Sequence, residues 1–129
     1  ILFIKTVTFS AGGYFNGLDV TTVQFQANKT IYTMEHQFPS DGLAPVSQEG
    51  MPKGQFLEEI QGLHIENWKK DYDDPTIMDG EQWSLTIEFS DGYSPVEISG
   101  SNAYPPQFNS LRQLMTFSHS AEKGVDMYG

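Results

Sequence analysis

The sequence predicts an α+β domain in which an antiparallel β-sheet of about five strands carries two helices on one face. Two segments, around Asn28-Lys29 and Asp91-Gly92, each read as two strands joined by a tight turn. A segment with helical periodicity follows each of them, which gives the order strand, strand, strand, helix, strand, strand, helix. The 129 residues suit one domain, so we expect a single domain over residues 1–117 and an irregular tail over residues 118–129.

The first strand is predicted over residues 1–9, where Phe3, Val7 and Phe9 share one face. The glycine-rich stretch SAGGYFNG then provides a turn.

A hairpin follows, and its register is predicted from the apolar pattern. A two-residue turn at Asn28-Lys29 sets Phe25 opposite Tyr32 and Val23 opposite Met34, so one face is apolar throughout.

Residues 39–54 read as a long, flexible loop because prolines and glycines recur there. The first helix is predicted over residues 54–70, although Gly62 weakens its middle by about 1 kcal/mol relative to alanine. The apolar side chains of this helix share one side of the helical wheel: Phe56, Leu57, Ile60, Leu63 and Trp68.

The clearest strand has an apolar residue at every second position: Trp83, Leu85, Ile87 and Phe89. A turn at Asp91-Gly92 then sets Ile87 opposite Val96 and Leu85 opposite Ile98. The last helix is predicted to start near Pro105-Pro106. We expect it to bury four apolar side chains: Phe108, Leu111, Leu114 and Met115.

Composition limits the function. The 17 acidic and 7 basic residues give a net charge of -10, which favours a basic partner or a cation and argues against nucleic acid. The opening ILFIKTVTF is neither a signal peptide nor a membrane span. The absence of cysteine excludes disulfides, thiolate metal ligands and a cysteine nucleophile. We therefore expect a soluble protein with no membrane partner and favour a cytoplasmic one.

Between about residues 60 and 117, a tryptophan-bearing helix leads to Asp-Gly-x-x-Trp at 79–83, a strand, and Gly-Ser-Asn-x-Tyr-Pro at 100–105. This pattern resembles one in small uncharacterised bacterial domains. The resemblance covers a little under half of the chain and supports the fold prediction. It implies no activity, ligand or site residue, because none is known for those domains.

The segment ISGSNAYPPQFNSLRQLM has two interpretations. In the functional one, Ser101, Asn102 and Tyr104 present polar groups to an anion at a helix N-terminus. In the structural one, the same residues form a corner between a strand and a helix. We favour the corner because it explains every residue without a ligand. It predicts that Tyr104 packs inward against the Trp83 strand or the 54–70 helix, and that Tyr104→Ala costs more than about 2 kcal/mol.

An acidic cluster could ligate calcium, which prefers oxygen ligands: Asp71, Asp73, Asp74 and Asp79, with Glu81 beside them. The sequence does not match the EF-hand template. Counted from Asp71, the fifth position is Pro75 instead of an oxygen ligand, and the twelfth is Gln82 instead of glutamate. A solvated acidic turn is therefore favoured, and no cofactor is expected.

Catalytic patterns are missing from the sequence. The three histidines, His36, His64 and His119, have no metal-ligand spacing, and no serine lies in a nucleophile motif. Aromatic residues in turns and at strand ends could form a sugar- or peptide-binding surface, although closing the core explains most of them equally well. The predicted ligand or partner surface comprises Tyr14, Phe15, Tyr72, Ser101, Asn102 and Tyr104.

The leading functional hypothesis is a non-enzymatic protein-interaction module, similar to an immunity or inhibitor protein. It would bind a basic protein through its acidic surface and the 39–54 loop. One alternative is a calcium- or carbohydrate-binding accessory domain. The other is an enzyme whose site is assembled across the fold.

Overall fold

A computed structural model describes residues 4–13, 17–36, 45–76, 80–90 and 92–116. Within these residues it contains one seven-stranded sheet, two α-helices and a short 3-10 turn at Ile65–Asn67. The strands are β1 (Ile4–Gly13), β2 (Gly17–Gln26), β3 (Lys29–His36), β4 (Val46–Pro52), β5 (Asp71–Asp73), β6 (Glu81–Phe89) and β7 (Val96–Ser101). The helices are α1 (Lys53–Gly62) and α2 (Phe108–Met115).

The strand order across the sheet is β4-β3-β2-β1-β6-β7-β5. All neighbouring strands are antiparallel except β5, which pairs with β7 in parallel. The α+β class is thus confirmed. The prediction of about five purely antiparallel strands is wrong, because β4 and β5 were not expected.

Both unexpected strands lack the apolar alternation that reveals a strand in a sequence. The first four residues of β4, Val46–Glu49, are exposed because this strand lies at one edge of the sheet. β5 is three residues long and has one inward side chain, Tyr72, between two exposed aspartates. The later part of the expected 39–54 loop is therefore a strand and the start of a helix. Its residues up to 44 and the 118–129 tail lie outside the described residues.

The register of the β6–β7 hairpin is confirmed, since Leu85 pairs with Ile98 and Ile87 with Val96. The ladder ends at that second pair, so the connection is longer than the expected two-residue turn. Pro95 falls just before β7, where no ladder hydrogen bond is required of it.

The predicted β2–β3 register is wrong by two residues. Val23 pairs with Tyr32 and Phe25 pairs with Thr30, and the turn residues are Ala27 and Asn28. Thr30 is fully buried, but its hydroxyl donates to the Met51 carbonyl oxygen of β4 at 2.7 Å. The register prediction avoided placing a polar residue on the buried face. This hydrogen bond offsets the cost of burying the Thr30 hydroxyl, so the observed register is stable.

Both helices pack on the same face of the sheet. Phe56 of α1 lies edge-on to Phe25 and Tyr32, with ring centroids 5.8 Å and 6.3 Å away. Phe108 of α2 lies 5.8 Å from Phe9, which the register places on that same face. The four apolar residues predicted for the inner side of α2 are all buried.

The first helix is shorter than predicted. α1 ends at Gly62, and His64 takes a left-handed conformation with φ of 51° before the 3-10 turn. The indole N–H of Trp68 donates to the Leu63 carbonyl oxygen at 3.2 Å, which ties this turn back to the helix end. Neither helix among the described residues has the length and apolar character that a bilayer crossing requires.

Candidate functional site

Two surfaces contain the residues that the sequence singled out. We call the first the aromatic corner, formed by residues 80–83, residues 100–105, Phe108 and Arg112. Trp83 is its centre and is 2% exposed. Its indole ring stacks on Tyr104 at 6.4 Å and contacts Phe108 at 4.6 Å, measured between ring centroids. Its N–H donates to the Ala103 carbonyl oxygen at 3.0 Å. This one side chain therefore holds the segment between β7 and α2 against β6.

Two glycines make room for this packing. A Cβ on Gly100 would lie 2.5 Å from the Cε2 atom of Trp83, and a Cβ on Gly80 would overlap the Asn102 side chain. Asn102 is left-handed with φ of 59°, and its Oδ1 accepts the Glu81 backbone N–H at 2.8 Å. The pattern formed by Gly80, Trp83, Gly100, Asn102 and Tyr104 therefore meets at one place in the fold, which supports the structural interpretation of the segment.

A half-buried ion pair borders the corner. The Arg112 guanidinium donates to both carboxylate oxygens of Glu81, at 3.0 Å and 2.6 Å. The Tyr104 hydroxyl donates to the same carboxylate at 3.0 Å. These hydrogen bonds, chiefly those from Arg112, lower the pKa of Glu81. Partial burial, together with the neighbouring carboxylate, raises the pKa of Tyr104. The Tyr104 hydroxyl already donates its hydrogen bond to the Glu81 carboxylate, which would also repel an anion bound beside it. The corner therefore does not favour the anion site proposed from the sequence.

The Glu81–Arg112 pair makes stability depend on pH. The folded-state pKa of Glu81 lies below its ordinary value of 4.5, so the pair stabilises the fold above that pH. This contribution is lost as the pH falls below 4.5 and through the lower folded-state pKa. We therefore expect the difference in unfolding free energy between the native chain and Glu81→Gln to shrink from about pH 6 to about pH 3, measured by urea denaturation. Glu58→Gln, an exposed change on α1, is the control, and a difference that stays constant with pH contradicts the assignment.

Tyr104 contacts the Trp83 strand as expected, but it does not pack inward. Its residue is 41% exposed and lies on the outer side of the stack formed with Trp83 and Phe108. The expected cost of more than about 2 kcal/mol for Tyr104→Ala assumed full burial, which the structure does not show.

The second surface is the face of the sheet opposite the helices, which we call the open face because no described helix covers it. The register gives this face ten hydroxyl-bearing residues: Thr6, Thr8, Ser10, Thr22, Thr33, Ser47, Ser84, Thr86, Ser99 and Ser101. It also gives it six acidic residues: Glu35, Glu49, Asp71, Asp73, Glu88 and Glu97. No aromatic residue has a register position on this face.

The hydroxyl groups form rows that cross the strands. One row runs over six strands through Ser47, Thr33, Thr22, Thr8, Thr86 and Glu97. The next row runs through Glu35, Val20, Ser10, Ser84, Ser99 and Asp71. Neighbouring strands are about 4.8 Å apart, a spacing at which two hydroxyls in one row can form a hydrogen bond. The Oγ atoms of Ser10 and Ser84 are 2.7 Å apart, and the hydroxyl oxygens of Thr33 and Ser47 are 3.0 Å apart.

The open face contains a depression of about 490 Å³ near β5. Carboxylates of Asp71 and Asp73 line it together with serine hydroxyls of β1, β6 and β7. The Ser99 hydroxyl donates to Asp71 at 3.3 Å. This arrangement presents hydrogen-bond acceptors and negative charge to solvent, and it suits an ammonium or guanidinium group.

The described residues predicted for a ligand or partner surface lie where the depression and the aromatic corner adjoin. Tyr72 and Ser101 line the depression beside Asp71 and Asp73, and Asn102 and Tyr104 lie in the corner around Trp83. The side chain of Tyr72 lies on the helix side of the sheet, 6.1 Å from Trp83 between ring centroids. The predictions for Tyr14, Phe15 and Asp79 lie outside the described residues.

The proposed calcium ligands do not form a metal site in the part of the chain that the structure describes, although Asp71 and Asp73 line the same depression. No three histidine, aspartate or glutamate side chains there are grouped as a metal site. Asp74 instead accepts hydrogen bonds from the backbone N–H and hydroxyl of Thr76, at 3.1 Å and 2.6 Å, and these lower its pKa. Its carboxylate closes a local turn.

Two histidines lie beside carboxylates at the surface. His36 Nδ1 is 2.7 Å from Asp19, and His64 Nδ1 is 3.1 Å from Glu66. Neither histidine is among the residues that line the depression of the open face.

The sequence carries a partial signal for the open face in the polar residues of β1 and β6. Thr6, Thr8 and Ser10 alternate with the apolar residues Val7 and Phe9 of β1. Ser84, Thr86 and Glu88 alternate with the buried apolar residues of β6. Their alignment into rows depends on strand order, which the sequence alone does not reveal.

No protein-family model matches this chain, and none of the curated proteins is similar to it.

Proposed function

We propose that this chain is a non-enzymatic protein-interaction module whose open face binds a basic protein. The observation that carries the proposal is the set of hydroxyl rows bordered by the carboxylates of Glu35, Asp71 and Glu97, on a face that no described helix covers. Hydroxyls donate and accept hydrogen bonds, and carboxylates accept strong ones from lysine and arginine. Such a surface is complementary to a partner rich in basic residues.

The charge of the open face supports this choice of partner. Lys29 is the basic residue with a register position there, and it pairs with Glu49 at 3.3 Å. The remaining carboxylates of the face therefore keep their negative field. With a net charge of -10 over the whole chain, long-range attraction accelerates encounter with a basic protein and weakens as salt is added.

The alternatives have less support. A sugar-binding surface commonly uses an aromatic ring as an apolar platform, and no aromatic residue has a register position on the open face. A serine nucleophile needs an activating base, and no described histidine lies in the hydroxyl rows. Calcium binding has no group of three carboxylates among the described residues. The interaction module is accordingly the function we put forward.

The test compares two variants that have the same net charge. The open-face variant carries Asp71→Asn, Asp73→Asn and Glu97→Gln. The control variant neutralises three exposed residues away from that face, with Glu58→Gln, Glu59→Gln and Glu66→Gln. Each variant and the native chain are used to capture proteins from a lysate of the source cells, and bound proteins are eluted with rising salt.

We expect a basic protein to be retained by the native chain and the control variant and to be lost from the open-face variant. With the purified partner, the open-face changes should weaken binding about tenfold or more, because several charge-assisted contacts are lost together. Equal retention by all three proteins, or retention by none, contradicts the proposal.

A further inference from the structure

The two edges of the sheet differ in what they offer to another chain. β5 forms one edge and has three residues, so it presents few backbone groups. β4 forms the other edge and has seven residues, of which Val46–Glu49 are all exposed. Val46 is 56% exposed. An edge of this length offers backbone groups that an extended segment could pair with.

The β2–β3 hairpin fixes which backbone groups of β4 face outward. In a two-residue hairpin, the residues that flank the turn, here Gln26 and Lys29, exchange backbone hydrogen bonds. Alternation along β3 then directs the N–H and C=O groups of Tyr32 towards β4, where its partner is Gln48. The N–H and C=O groups of Ser47 and Glu49 therefore point away from the sheet.

A side-chain contact agrees with this assignment. Thr33 and Ser47 form a pair without backbone hydrogen bonds, in which side chains approach closely, and their hydroxyl oxygens are 3.0 Å apart. No described strand pairs with the outer edge of β4, where Ser47 and Glu49 thus present backbone N–H and C=O groups at alternate positions. Their side chains lie on the open face.

We infer that β4 binds an extended, lysine- or arginine-bearing segment of the basic partner by strand addition, an inference that rests on the proposed function. A strand added beside β4 would place alternate side chains on the open face, next to Glu49 and near Glu35 of β3. Basic side chains at those positions meet carboxylates. The intervening side chains lie on the other face, where exposed Val46 provides apolar contact.

Charge selects this occupant over a second copy of the chain. Pairing β4 with β4 of another copy would bring together two chains that each have a net charge of -10. It would also add a second set of Glu49 carboxylates at the same edge. A basic segment removes both sources of repulsion.

The test uses a synthetic ten-residue peptide of alternating lysine and threonine. Ser47→Pro removes the outward N–H while leaving the bonds between β3 and β4 intact, and Ser47→Ala keeps that N–H. Both variants lack the Ser47 hydroxyl, so the difference between them isolates the N–H group. We expect Ser47→Pro to bind the peptide about tenfold more weakly than Ser47→Ala, measured by fluorescence anisotropy. In the native chain, amide hydrogen exchange at Ser47 and Glu49 should slow when the peptide binds, a readout that requires no variant to fold.

Equal affinity of the two Ser47 variants, unchanged exchange at both amides, or no binding of the peptide overturns strand addition. None of these results affects the comparison of the open-face and control variants, whose changed residues lie away from β4. Failure of the edge inference and failure of the proposed function are therefore distinguishable.

Discussion

Replacing Gly100 with valine is expected to destabilise the domain by about 3 kcal/mol or more. The new Cβ would lie 2.5 Å from Cε2 of Trp83, which is far inside contact distance. The indole cannot move away easily, because its N–H is bonded to Ala103 and its ring lies against Tyr104 and Phe108. Urea denaturation followed by tryptophan fluorescence measures the loss of unfolding free energy.

Ser99→Val is the matched control for this change. It introduces the same side chain one position earlier on β7, where the residue is exposed and lies on the open face. Its effect should be within about 1 kcal/mol, since valine is a favourable strand residue. Equal losses for the two variants would show that Trp83 is not confined as the structure describes.

Replacing Phe56 with alanine is expected to cost about 3–5 kcal/mol. Phe56 is fully buried, and with Ile60 it provides the buried contacts within α1. Its ring lies against Phe25 and Tyr32, so its loss detaches α1 from the β2–β3 hairpin. The loss of unfolding free energy in urea measures this effect. A smaller dependence of that free energy on urea concentration would show that α1 is already unfolded in the folded state of the variant.

Glu58→Ala on the same helix is the control, because Glu58 is exposed and alanine preserves helix propensity. Its effect should be within about 0.5 kcal/mol. A Phe56→Ala variant as stable as this control would contradict the position given to α1.

Elements with strong apolar periodicity were predicted well. Leu85 and Ile87 alternate on β6 and fix their partners on β7, and the four inner residues of α2 are spaced for one face. The β2–β3 register was predicted wrongly, because its stability depends on a buried threonine whose partner, the Met51 carbonyl, belongs to an unpredicted strand. A local pattern cannot reveal a hydrogen bond to a distant segment.

The candidate surfaces show the same limit. The sequence predicted a corner at Gly100, Asn102 and Tyr104, with Tyr104 against the Trp83 strand or the 54–70 helix. The structure adds that Gly80 makes room for the Asn102 side chain there. Only Ser101 and the nearby aspartates of the open face were anticipated, because its rows are assembled from strands distant in sequence. Side chains that become neighbours only through strand order leave no spacing signature.

The central position of β1 has a consequence for synthesis of the chain. β1 is made before the strands that pair with it, and its ladder with β6 joins residues such as Ser10 and Ser84, which are 74 positions apart. At ribosomal rates of about 5–20 residues per second, β1 waits roughly 4–15 s with one edge unpaired. During that interval Val7 and Phe9 lack the neighbours that bury them in the finished domain. The middle of this sheet is therefore among the last parts to close on the nascent chain, which makes folding slow and exposes it to aggregation before β6 emerges.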